Sequence, residues 1–186
     1  MVALIVSIGN LYFSQLQHKD IAVYVAPRIG YGRDAKSYKE NFVIPVTFVN
    51  DGARPSVILY LTLTVTHSET GREKTYDSKY IFKDTQIIDR PFAPISISGK
   101  NVASCNIGFY DLGSFDKLFF GFPGKYIFKL NGKTSNADSV KQFNFDLHQK
   151  FEISLSSDEA AEIHDDQLNF VTNTVLLSQW QNIKIE

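Results

Sequence analysis

A single cysteine, Cys105, excludes an internal disulfide and any Cys-rich zinc site. A single methionine, Met1, excludes the adaptable Met-lined groove that promiscuous helix binders use. A single tryptophan, Trp180, removes the side chain best suited to stacking on a ligand face. No basic excess exists. Lys and Arg number 19 against 20 Asp and Glu, for a net charge of -1, so the electrostatic footprint of a nucleic-acid binder is missing. Neither Gly-x-Ser-x-Gly nor His-Glu-x-x-His occurs, which removes the commonest serine-hydrolase and zinc-protease signatures.

What is present suits a packed domain. Hydrophobic residues make up 44% and charged residues 21% of 186 positions, enough to bury a core, and the length fits one domain. The 15 Phe and 9 Tyr favour strands over helices. Acid collects toward the C-terminus, where Lys150 and Lys184 face Glu152, Asp158, Glu159, Glu162, Asp165, Asp166 and Glu186, a pattern read as a solvated face.

Residues 1–18 contain no Lys, Arg, Asp or Glu, and Met1 to Phe13 are mostly apolar. As a helix they would extend roughly 27 Å, just short of a hydrocarbon core of about 30 Å. Tyr12 and Phe13 stand where an interfacial aromatic belt begins, and Gln15, Gln17, His18, Lys19 and Asp20 lead into water. No basic leader and no small-residue cleavage site mark a signal peptide. The expectation is a membrane anchor over 1–18, followed by one domain over 19–186. A first strand or short helix packed on the core is the alternative.

From Ile21 the hydrophobic period becomes two, and Ile21, Val23 and Val25 run as a strand to Pro27. Residues 28–40, rich in Gly, Arg, Lys and Tyr, read as a loop. Phe42, Ile44, Val46 and Phe48 form the clearest strand face, with Pro45 expected at an edge or bulge and Asn50-Asp51-Gly52 as the turn. Val57 to Thr66, the turn Ser68-Glu69-Thr70-Gly71 and Lys74 to Phe82 read as a hairpin. Residues 84–100 read as extended but irregular. Further strands are expected over Val102–Tyr110, Lys125–Leu130 (ended by an Asn131-Gly132 turn), Gln142–Leu155 and Leu168–Leu177. Ser156 and Glu159 form a capping box for a short helix at 157–164. Leu59, Leu61 and Leu63, with Tyr126, Phe128 and Leu130, are expected to meet the Phe42 face. About eight strands with no βα alternation predict an all-β antiparallel sandwich.

The run Phe42-Val43-Ile44-Pro45-Val46-Thr47-Phe48-Val49-Asn50-Asp51-Gly52 resembles the second strand of the immunoglobulin-like β-sandwich modules of bacterial cell-envelope proteins. Phe122-Pro123-Gly124-Lys125-Tyr126-Ile127-Phe128 resembles their penultimate strand, entered through a Pro-Gly turn, and Pro91-Phe92-Ala93-Pro94-Ile95 also fits such a domain. Similar Asn-Gly turns occur in late-embryogenesis-abundant sandwich domains. The resemblance spans roughly 20–155 and is structural. It implies a membrane-anchored module held outside the cytoplasm, with another envelope protein as partner. The Cys pair and central Trp of antibody-type domains are absent.

Chemistry-bearing patterns are sparse. Ser114-Phe115-Asp116-Lys117 matches a Ser-x-x-Lys motif, and Lys133-Thr134-Ser135 loosely echoes Lys-Thr-Gly, but the serine falls in a loop among Gly and Phe. Gly132-Lys133-Thr134 lacks the first glycine of a phosphate loop, since residue 127 is Ile. Cys105 reads as a structural thiol in a strand. His18, His67, His148 and His164 share no ligand spacing, and Glu159, Glu162 and Asp166 fall on one helical face without a calcium loop. The expectation is therefore a non-enzymatic interaction or structural module with no catalytic residue, metal or cofactor. Nucleic acid is not expected as a partner. A glycan-binding module using Tyr24, Tyr31, Tyr38, Tyr60, Tyr76 or Tyr80 is the alternative.

Overall fold

A computed structural model of the chain describes residues 7, 9, 21–34, 39–83, 88–111, 119–135, 147–164 and 170–172. From Ile21 onward the described residues form antiparallel β structure with one short helix. Its strands are β1 (Ile21–Val25), β2 (Arg28–Asp34), β3 (Lys39–Asn50), β4 (Ser56–His67), β5 (Glu73–Phe82), β6 (Ile88–Pro91), β7 (Ile95–Ile97), β8 (Asn101–Tyr110), β9 (Gly124–Thr134), β10 (Leu147–Leu155) and β11 (Phe170–Thr172). The helix, α1, is Ser157–His164. Among the described residues no helix is long and apolar enough to cross a membrane. The anchor expected over 1–18 lies outside the described residues except for Ser7 and Gly9, both helical.

Two separate sheets were the expectation, and one connected sheet is found. Its order is β10-β9-β4-β5-β8-β3-β2-β11, with β1 on β3, β6 on β5 and β7 on β4. The join is β5, which pairs with β4 through Thr62↔Asp77 to Thr66↔Glu73 and with β8 through Asp77↔Tyr110 to Phe82↔Asn106. The sheet is nearly closed, since β10 at one end approaches β1 and β11 at the other.

Alternation on β3 builds the core. Phe42, Ile44, Val46 and Phe48 are all buried on one face, as their period requires. They meet Leu61, Leu63 and Val65 of β4, Tyr126, Phe128 and Leu130 of β9, and Ile153 of β10 in one cluster. Leu59 departs from expectation. The β4–β9 register slips between Ile58 and Tyr60, a bulge that buries Ile58 and turns Leu59 and Tyr60 outward.

Three further strands, β2, β6 and β7, bring the total among the described residues to eleven. The segment read as a 28–40 loop contains β2, because Ile29 and Tyr31 alternate inward while Gly30 and Gly32 face the other way. Asn131-Gly132 is not a turn but lies inside β9, in register with His148 and Leu147. A Cβ on Gly132 would sit 2.7 Å from Leu147 Cδ2 and 2.8 Å from Leu61 Cδ2, so glycine is there for close packing. Pro45 sits at a junction rather than an outer edge. Its carbonyl accepts from Ala26 N–H at 3.0 Å, so its nitrogen faces the gap between β1 and β2 where no ladder donor is needed. The capping box of α1 forms as read: Ser156 N–H donates to Glu159 Oε2 at 2.8 Å and Glu159 N–H to Ser156 Oγ at 3.2 Å.

Candidate functional site

The inward row of β3 begins with a charge. Glu40 is two residues before Phe42, so strand geometry aims its carboxylate into the core, where it is fully buried. Bare burial of a carboxylate is prohibitive, and here five donors offset it. Oε1 accepts from Phe120 N–H at 2.7 Å and from the Tyr31 hydroxyl at 3.2 Å. Oε2 accepts from Lys74 Nζ at 2.9 Å, the Tyr76 hydroxyl at 3.1 Å and Phe119 N–H at 3.2 Å. Lys74 also contacts Asp111 Oδ2 at 2.9 Å, and Asp111 N–H donates to the Glu40 carbonyl at 3.3 Å. Burial first, then the Glu40 charge, pushes the Tyr76 hydroxyl well above its ordinary range.

This network fixes a loop to one end of the sheet. Phe119 and Phe120 are held by their amides on Glu40, and Phe120 packs against Tyr31, Phe42 and Tyr126 at ring distances of 5.1, 5.2 and 4.7 Å. Tyr126 grips the same loop at Phe122, two residues after Phe120. Its hydroxyl donates to the Phe122 carbonyl at 3.0 Å and accepts from Phe122 N–H at 3.2 Å. Phe122 itself is left 44% exposed.

Opposite lies the β4–β5 turn. Gly71 closes it at φ 66°, with Gly71 N–H on the His67 carbonyl and His67 N–H on the Arg72 carbonyl, both at 2.9 Å. His67 is buried and packs edge-on to Tyr126. Its Nδ1 accepts from Thr70 N–H at 3.3 Å, which leaves the proton on Nε2 facing the Pro123 carbonyl at 3.4 Å. Gly124, at φ 136°, must be glycine here, because a Cβ would lie 2.9 Å from His67 Nε2.

Between turn and loop is a cleft of about 350 Å³ lined by His67, Glu69, Thr70, Arg72, Phe119, Phe122 and Pro123. The Arg72 guanidinium lies 5.6 Å from the Phe119 ring centroid. Both His67 nitrogens are engaged by backbone, and Thr70 Oγ1 accepts from Arg72 N–H. The cleft therefore presents aromatic rings and a guanidinium rather than a nucleophile–base pair.

The residues singled out from sequence do not assemble. Cys105 faces the core on β8 opposite Val46, and burial raises its thiol to about 11, so it carries little thiolate. Tyr31 and Tyr76 are buried, Tyr80 is half-buried, Tyr24 is exposed on β1, and Tyr60, exposed on β4, donates to Asp77. Glu159 and Glu162 are exposed on α1. Among the described residues no three His, Cys, Asp or Glu side chains gather to hold a metal. His18, Tyr38, Ser114 to Lys117, Asp165, Asp166 and Trp180, and the side chains of His148 and His164, lie outside the described residues. On sequence alone, Glu40, Arg72, Phe119 and Phe122 are given no functional role. Extending the Phe42 alternation back by two positions finds Glu40; nothing local to the sequence marks the others.

No family model matches the chain, and no curated protein matches it. Solved structures do. The chain is similar to the ApaA protein of Bordetella pertussis at 12% identity, covering 75% of this chain and 91% of that one, with a TM-score of 0.39. It is similar to a protein from Archaeoglobus fulgidus at 10% identity, covering 75% and 98%, with a TM-score of 0.43. An uncharacterized β-sandwich protein from Clostridium difficile shows 12% identity over 75% and 91%, with a TM-score of 0.38.

Proposed function

We propose that this chain is a non-enzymatic, immunoglobulin-like interaction module whose contact surface is the cleft between the β4–β5 turn and the Phe119–Gly124 loop. The observation that carries the reading is a loop pinned from beneath by a buried carboxylate and a tyrosine hydroxyl, with Phe122 left exposed above it. A preformed aromatic and an Arg at a rigid rim are what protein-contact hot spots use, since little ordering entropy opposes binding.

The immunoglobulin-like reading is supported by Tyr126. Its hydroxyl bonds back to the backbone four residues upstream at a strand start, as a tyrosine corner does. Two residues later, where antibody domains place a Cys, Phe128 packs edge-on to Phe42 of β3 at 5.3 Å. The aromatic pair stands where antibody domains place the disulfide between their sheets. Placement outside the cytoplasm on a membrane anchor remains part of this proposal and rests on the uncharged residues 1–18.

The glycan alternative is less well supported. The two exposed Tyr of the described set, Tyr24 and Tyr60, stand on different strands that are not neighbours in the sheet. Selection of a phage-displayed peptide library on the whole chain tests the proposal. Selected peptides should lose binding to the Phe122→Ala variant and keep it with Tyr24→Ala. Peptides indifferent to Phe122, or oligosaccharides bound through Tyr24, would refute it.

A further inference from the structure

The geometry points to a ligand of defined chemistry for this cleft: a polypeptide C-terminus, its carboxylate on Arg72 and its last, apolar side chain against Phe119, Phe122 and Pro123. The inference rests on the reading of the cleft as the contact surface, and it begins with an arginine that lacks a counter-ion. Arg72 is exposed and lies between two acidic residues, Glu69 of its own turn and Glu73 at the start of β5. Neither pairs with it. Glu73 Oε2 accepts from the Thr66 hydroxyl at 3.2 Å on the outer face of the sheet. Glu69 Oε1 lies toward Gly124, 3.8 Å from where a Cβ would stand there. Among the described residues no carboxylate forms an ion pair with the guanidinium, which instead rests over the Phe119 ring.

The turn holds Arg72 in place. Its carbonyl accepts from His67 N–H and its own N–H donates to Thr70 Oγ1, so the side chain leaves a fixed backbone. A guanidinium held by a ring face, with no ion pair among the described residues, keeps N–H groups for a planar, two-oxygen acceptor. A carboxylate fits that fork. A phosphate dianion fits less well, because Arg72 is the one fixed cation among the described residues of the lining and Glu69 stands on the same rim. Phe119, Phe122 and Pro123 give the lining its apolar part, beside His67 and Thr70, whose ring nitrogens and hydroxyl are engaged by backbone. At about 350 Å³ the cleft stands at the small end of ligand pockets, which suits a chain end rather than a passing strand. Within a polypeptide, only the C-terminal residue places a carboxylate and an apolar side chain on the same carbon.

Three probes test this by backbone amide shift titration of the whole chain: N-acetyl-Leu-Phe with a free C-terminal carboxylate, the same peptide as its C-terminal amide, and N-acetyl-Asp-Phe-amide, which moves the acid into a side chain. The free acid should shift the Thr70, Arg72 and Phe122 amides and bind about tenfold or more tighter than either amide. Arg72→Gln should bring the free acid down to the level of its amide, and Arg72→Lys should retain part of the preference, as a point charge without the fork. Phe122→Ala should weaken all three. Equal binding of acid and amide at these amides would overturn the C-terminal assignment and leave the contact surface standing. Tighter binding of the Asp peptide would overturn it in favour of an internal acid. Shifts elsewhere, or none with any probe, would overturn the assignment and the contact surface together.

Discussion

The two ends of β3 are built alike and behave differently. Each closes the apolar row of Phe42, Ile44, Val46 and Phe48 with a fully buried polar side chain, Glu40 at one end and Asn50 at the other. Asn50 gathers mainly acceptors. Its Nδ2 faces the carbonyls of Arg54 at 2.8 Å, Ser98 at 3.2 Å and Ile97 at 3.4 Å, while its Oδ1 takes Gly52 N–H at 3.1 Å. The chain closes tightly around it, and a Cβ on Gly99 would sit 2.0 Å from the Ala53 carbonyl oxygen. Glu40 gathers only donors, and two of them are amides of a loop that leaves a cleft open above. A neutral amide suffices to seal an end. A buried carboxylate with a lysine is a costlier device, and here it coincides with the end that exposes Phe122 and Arg72.

The largest expected effect comes from Glu40→Ala. It leaves two tyrosine hydroxyls and two amides without their acceptor and Lys74 with Asp111 as its remaining carboxylate, and should cost about 3–5 kcal/mol in urea unfolding. Asn50→Ala loses neutral bonds only and should cost about 1–3 kcal/mol. If the two variants cost the same, the distinction between the ends falls. Tyr126→Phe removes the grip on Phe122 and should cost about 0.5–1.5 kcal/mol, with peptide binding at the cleft falling more than stability does. The smallest effect is alkaline. The Tyr76 hydroxyl is raised in the fold above its unfolded value of 10.0, so its contribution is whole below about pH 10 and lost as pH climbs through the raised value. Tyr60, pushed up to about 12 by burial and then by Asp77, adds in the same direction. Melting temperature should fall from pH 10 upward, and more gently in Tyr76→Phe.

Much of the fold was legible because strand period and turn chemistry agree. The inward faces of β3 and β9, the hairpin of β4 and β5, and the α1 capping box follow from local pattern alone. Glycine misled twice. In Gly30 and Gly32 it resembled loop composition within a strand, and in Asn131-Gly132 it resembled a turn where the reason is Leu61 and Leu147 crowding the position. The bulge at Ile58–Tyr60 is a matter of pairing between strands and leaves no local mark, which is why Leu59 was placed inward. The site was harder to see. Its residues come from β3, β5, the β4–β5 turn and the Phe119 loop, brought together by pairing across long sequence separations. Only Glu40 carried a signal, the parity it shares with Phe42.

The central claim is that Glu40 holds the Phe119–Phe120 segment in place before any partner arrives. Amide-resolved hydrogen exchange of the free protein tests it directly. The account predicts that Phe119 and Phe120 amides exchange as slowly as the paired amides of β3 and β8, and that Glu40→Gln releases both while the Lys100 amide, bonded to the Gly52 carbonyl at the other end, stays protected. Rapid exchange at Phe119 and Phe120 in the unaltered chain would contradict it.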